Sequence, residues 1–145
     1  MLNRLLFFFL ICAAPAHAQT SPLPNEADTR TLAERVVKSV SEGQWKVGWD
    51  AIRAVTVIPA NEMNVAEAQI TGETEKISTR FGKPTGYEFI ISEKVGERLI
   101  RHQLLVHHEK APIRWMLVFY RTSAGWVLTD FKFDSNYAPL FPRGV

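Results

Sequence analysis

The chain has 145 residues, 46% hydrophobic and 22% charged, with 17 Lys and Arg against 15 Asp and Glu. That length holds one domain around one core, and a single cysteine excludes a disulfide framework. The near-balance of charge, with no Lys/Arg run to concentrate it, argues against a nucleic-acid partner or an anionic membrane surface.

Asn3 and Arg4 precede an apolar run over residues 5–14, and Pro15-Ala16-His17-Ala18 follows. A basic start, a short hydrophobic core and a small-x-small end predict a secretory signal peptide, residues 1–18, cleaved between Ala18 and Gln19. The run is about ten residues long, well short of the ~20 that a spanning helix needs. Ile11 is not the small residue that a lipoprotein signal places before its cysteine, so Cys12 is not expected to carry lipid. The cleavage site has a bacterial style and predicts a periplasmic or secreted protein. The mature chain then lacks cysteine, and packing alone must hold it.

Residues 19–27, with Ser21, Pro22, Pro24 and Asn25, read as a flexible leader to a single domain over residues 28–145. Asp28 or Thr29 can cap a first helix in which Leu32, Val36, Val37 and Val40 recur at helical spacing. Gly43 ends it. A second helix over residues 44–54 carries Trp45, Trp49 and Ile52, weakened by Gly48. Pro59 stops that element, and Asn61 or Asn64 can start a third, with Met63, Ile70 and Ile77 in one stripe extended by Ala66 and Phe81.

From Tyr87 the period shifts to two. Tyr87, Phe89 and Ile91 alternate with Glu88, Ile90 and Ser92, and a turn at Val95-Gly96-Glu97 leads to a strand over residues 99–108. Residues 113–121 are apolar on both parities, which predicts a strand covered on both faces. After Thr122-Ser123-Ala124-Gly125 the last strand changes parity: Trp126 and Leu128 occupy one set, Phe131 and Phe133 the other. An extra residue near Thr129-Asp130, a β-bulge, returns all four to one face. Phe119 then sits opposite Leu128, Leu117 meets Phe131 and Trp115 meets Phe133. Bulges bend sheets, so the fold class is α+β: three N-terminal helices packed on a curved four-stranded antiparallel sheet, a cone or half-barrel.

This order, with Phe81-Gly82 closing the helices, Gly86-Tyr87-Glu88 opening the sheet, then Arg114-Trp115, Phe119-Tyr120-Arg121, Gly125-Trp126 and Phe131 through Asp134, resembles the nuclear-transport-factor-2-like (cystatin-like α+β) superfamily, in particular its small secreted bacterial members. The resemblance implies a cone whose apolar cavity can hold a few polar residues. The superfamily spans isomerases, dehydratases, cyclases, transport factors and domains without known activity, so it does not decide function.

Chemistry is sparse. His102 and His108 share a face but stand about 20 Å apart at ~3.3 Å per residue, and His107 points the other way, so no metal site is expected. No nucleophile elbow and no phosphate loop appear, and no cofactor is called for. The two residues that could serve as a lone acid–base group are His102 and Asp130, with Tyr87 and Tyr120 as hydroxyl donors. Trp45, Trp49, Tyr87, Phe89, Trp115, Phe119 and Phe131 either pack the core or line a ligand pocket. Arg101, Arg114 and Arg121 could anchor an acidic ligand at its rim. The leading expectation is a non-catalytic module that binds a small apolar ligand or a protein partner. A lyase or isomerase, and a homodimerising structural module, are the alternatives.

Overall fold

A computed structural model describes residues 20–141. The signal peptide expected over residues 1–18 lies outside them. Three helices, α1 (Glu26–Ser41), α2 (Trp45–Val55) and α3 (Ala60–Phe81), precede strands β1 (Pro84–Val95), β2 (Leu99–His108), β3 (Ile113–Thr122) and β4 (Gly125–Asp134). The strands form one antiparallel sheet in the order β1-β2-β3-β4. The fold is therefore α+β, with the helices before the sheet.

α1 begins three or four residues earlier than a cap at Asp28 or Thr29 would place it. Asn25 is the N-cap, and its backbone N–H donates to the Asp28 carboxylate at 3.0 Å. Asp28 thus acts from within the first turn, where an acid also suits the positive end of the helix. Thr29 is inside the helix with its side chain turned to the core. Leu32, Ala33, Val36, Val37 and Val40 continue that buried stripe against the sheet and α2. Gly48 explains itself in this contact. A Cβ there would meet the Val36 carbonyl at 3.3 Å and a Val40 methyl at 3.5 Å, so the residue that weakens α2 lets the two helices approach.

α3 is held differently. Of its 22 residues only Met63, Ile70 and Phe81 are buried, while Ala66 and Ile77 are half-covered on the same stripe. Its end is tied to the sheet: the Lys110 backbone N–H donates to the Phe81 carbonyl at 2.9 Å, and Lys110 Nζ to that of Thr79 at 2.8 Å.

The β4 bulge is present in the expected register. Val118 pairs with Asp130 and Phe119 with Leu128, so Thr129 is the extra residue; Leu117 meets Phe131 and Trp115 meets Phe133. Trp126 and Leu128 are buried, and Phe131 and Phe133 pack against the same core. β1 holds a second irregularity that its alternation does not reveal. Phe89 pairs with Leu104 and Ile91 with Gln103, leaving Ile90 extra. Beyond that point the faces swap, so Ile91 turns outward and Ser92 comes opposite His102 on the helix side.

The leader segment is hydrogen-bonded to the domain where it is described. Leu23 exchanges both backbone bonds with Trp126 at 2.8 Å, and the Ser21 N–H donates to the Ala54 carbonyl at 2.8 Å. Gly125 admits this crossing: its φ is +132°, and a Cβ would lie 2.5 Å from the Leu23 carbonyl oxygen.

Candidate functional site

His102 is 1% exposed, its ring between Phe89 (6.1 Å) and Phe119 (5.7 Å). Both ring nitrogens are used. Nε2 lies 2.8 Å from Thr29 Oγ1, and Nδ1 lies 2.8 Å from Ser92 Oγ. The Thr29 hydroxyl gives its one proton to the Glu26 carbonyl at 2.6 Å, so it must accept from Nε2–H. That fixes the tautomer and leaves Nδ1 to accept the Ser92 hydroxyl proton. Burial lowers the His102 pKa from 6.5 to about 4; Arg30 adds to the effect, and Glu26 and Glu34 oppose it. The imidazole is neutral at pH 7, with its proton and its lone pair both engaged. It lines none of the clefts beside α3, at the hairpin tip or on the outer sheet face. Asp130 is exposed on the opposite face, across from Val118. The two acid–base candidates therefore do not meet.

The outer face of the sheet carries a second network. Glu93 accepts from Arg101 Nε at 2.7 Å and from Gln103 Nε2 at 2.8 Å, while Gln103 Oε1 accepts from Arg114 at 3.0 Å. Arg114 also grips Asp134 with two bonds, 3.0 and 2.9 Å, and Lys132 reaches the same carboxylate at 3.1 Å. The Arg114 hydrogen bonds hold the Asp134 carboxyl down at about 2, against an ordinary 3.8, helped by Lys132 and the Asn136 backbone and opposed by burial. Of the three arginines considered as ligand anchors, Arg101 and Arg114 are thus paired within the face. Arg121 lies with Arg98 along an open polar cleft of about 580 Å³ at the hairpin tip.

The aromatic residues fall into two groups. Trp49, Trp115 and Phe119 are buried core; Trp45, Tyr87, Phe89 and Phe131 are half-covered at its margin. Trp49 meets Phe131 edge-on at 5.2 Å. The Arg30 guanidinium lies 3.7 Å over the Phe89 ring, closing that side of His102. Trp115 stacks on Phe133 at 4.8 Å, and Trp45 packs against both, at 5.9 and 6.2 Å.

That last trio lies beside α3, which is flanked by two clefts. The larger, about 380 Å³, runs between α3 and the ends of β3 and β4: Ile70, Ile77, Phe81, Ile113 and Phe133 supply its apolar wall, and Gln69, Glu73, Arg80, Asp134 and Ser135 its polar rim. The smaller, about 220 Å³, lies on the other side of α3, lined by Val40, Trp45, Ile77, Lys83 and His108 among others. Ile77 borders both. Of the seven aromatics marked in the sequence, Trp45 alone faces either cleft; Phe133, Phe81 and the α3 isoleucines are the wall residues that helical spacing and parity assign to the core.

No family model matches the chain, and neither a curated protein nor a solved structure matches it.

Proposed function

We propose that the protein is a secreted, periplasmic, non-catalytic binding module of the nuclear-transport-factor-2-like kind, whose cleft beneath α3 takes a small apolar ligand. The observation that carries this reading is the 380 Å³ cleft, walled by Ile70, Ile77, Phe81, Ile113 and Phe133. Its volume is in the range of small-molecule sites, and its mixture of apolar wall and polar rim is theirs too. The neutral, doubly bonded His102 supports a structural role for the buried imidazole in place of acid–base chemistry. The test is saturable binding of an apolar fluorophore such as anilinonaphthalene sulfonate to the folded protein, with Ile77→Trp built to fill both clefts. Loss of binding in that variant, at unchanged circular dichroism, is expected. Equal binding by the variant removes the site from beneath α3.

A second reading, a homodimer through the outer sheet face, rests on one cross-strand row. Val95, Leu99, Tyr120 and Val127 are successive partners across all four strands, and the first three are 72%, 36% and 39% exposed. Light scattering decides it: a dimer mass that Leu99→Lys converts to monomer supports this reading, and a monomer at high concentration ends it.

A further inference from the structure

The polar rim of the larger cleft is not electrically neutral in effect. Glu73 is bound by Lys76 at 2.9 Å, and Asp134 is held by Arg114 and Lys132 at 2.9 and 3.1 Å. Arg80, whose guanidinium stands 5.0 Å from the Phe81 ring centroid, takes part in no ion pair among the described residues. Its neighbours leave it as the one charge on that rim still to be matched. The end of α3 would ordinarily repel an anion through its exposed carbonyls. Here Lys110 donates to the Thr79 and Phe81 carbonyls, which removes much of that repulsion. On the far side of Ile77, the smaller cleft continues the apolar path past Trp45 and carries Lys83 at its edge.

We infer that the ligand is an amphipathic carboxylate: its head pairs with Arg80, and its apolar tail lies against Phe133 and passes beneath Ile77 towards Trp45. The inference rests on the binding reading above and deepens it. Arg80 offers a planar fork that matches a carboxylate with two bonds, a geometry that a lysine would not supply. Ile77 is only half-covered and sits on the least buried helix, so a tail can displace its side chain without opening the core. The two clefts then act as one channel running across the underside of α3.

Calorimetric titration with decanoate, decanol and decylamine, each below its micelle-forming concentration, tests this. These probes share a tail and differ in the sign of the head. Decanoate is expected to bind about tenfold more tightly than decanol, as one charge-assisted contact would give. Arg80→Gln should remove that preference at unchanged melting temperature, and Arg80→Lys should restore part of it. Ile77→Ala should strengthen binding of all three tails. If decanol or decylamine binds as tightly as decanoate, or Arg80→Gln keeps the preference, the carboxylate inference is overturned and the cleft still binds apolar ligands. If none of the three binds, the binding reading falls with it.

Discussion

His102 and Gln103 are consecutive on β2, equally hidden at 1% exposure, and belong to opposite kinds of polar network. On the helix side, His102 is held by two hydroxyls, and burial strips its charge. On the outer side, Gln103 bridges Glu93 and Arg114, and the charges stay because each finds an opposite partner. The difference shows how a single strand satisfies the same requirement twice. Where burial outweighs the nearby carboxylates, as at His102, a titratable group stays neutral and its hydrogen bonds are made by neutral donors and acceptors. Where paired ions surround it, a neutral amide serves as the connector.

That contrast can be broken most forcefully at His102. Replacing it with Ala leaves a void between Phe89 and Phe119 and removes two hydrogen bonds, so chemical denaturation should register a loss of about 3 to 4 kcal/mol. Acid does nearly the same without a mutation. The unfolded chain takes up a proton at 6.5 that the folded imidazole refuses until about 4. Stability is therefore complete above pH 6.5 and declines by about 3 kcal/mol as pH falls towards 4, then levels. Urea midpoints at pH 7, 5.5 and 4 check the slope, and a His102→Gln variant should flatten it. Asp134 behaves in the same sense over a lower window: its contribution is full above 3.8 and disappears as pH drops towards 2. A flat profile between 6.5 and 4 in the parent protein would contradict the neutral-imidazole account.

Arg114→Leu strikes the other network. It leaves Asp134 to Lys132 and frees the Gln103 carbonyl, for an expected loss of about 2 kcal/mol that does not vary between pH 7 and pH 5. The smallest effect belongs to Ser92→Ala, about 1 kcal/mol, because its hydroxyl is near solvent and water can replace it. The sharper readout there is the His102 titration followed by nuclear magnetic resonance. Losing a donor to the unprotonated nitrogen should move that pKa upwards.

Much of the architecture was legible because large side chains recorded it. Trp126, Leu128, Phe131 and Phe133 break parity in the last strand, and only a bulge reconciles them. The β1 bulge left no such trace: Ile90 and Ile91 are both apolar, and Glu88 and Ser92 both polar, so either register satisfies the pattern. With it went the pairing of Ser92 and His102. Thr29 was misleading for a related reason. A threonine near a helix start suggests a cap, but this one faces inward to the ring of a residue 73 positions away. The aromatics marked for a pocket all lie in the core or at its margin, and hydropathy reads alike for a residue that plugs a core and one that walls a cleft. The unmatched charge of Arg80 was beyond reach as well, because it depends on which carboxylates its neighbours have already claimed.

The short pairing of Leu23 with Trp126 has a consequence for behaviour in concentrated solution. An open strand border is a template on which another chain can add itself, and β4 would offer one. With Leu23 paired to Trp126 and the Val57 N–H donating to the Leu128 carbonyl at 3.1 Å, the first half of that template is already taken. Trimming the segment ahead of Asn25 would uncover it, and edge-to-edge stacking into fibrils, rather than loss of fold, would be the first symptom.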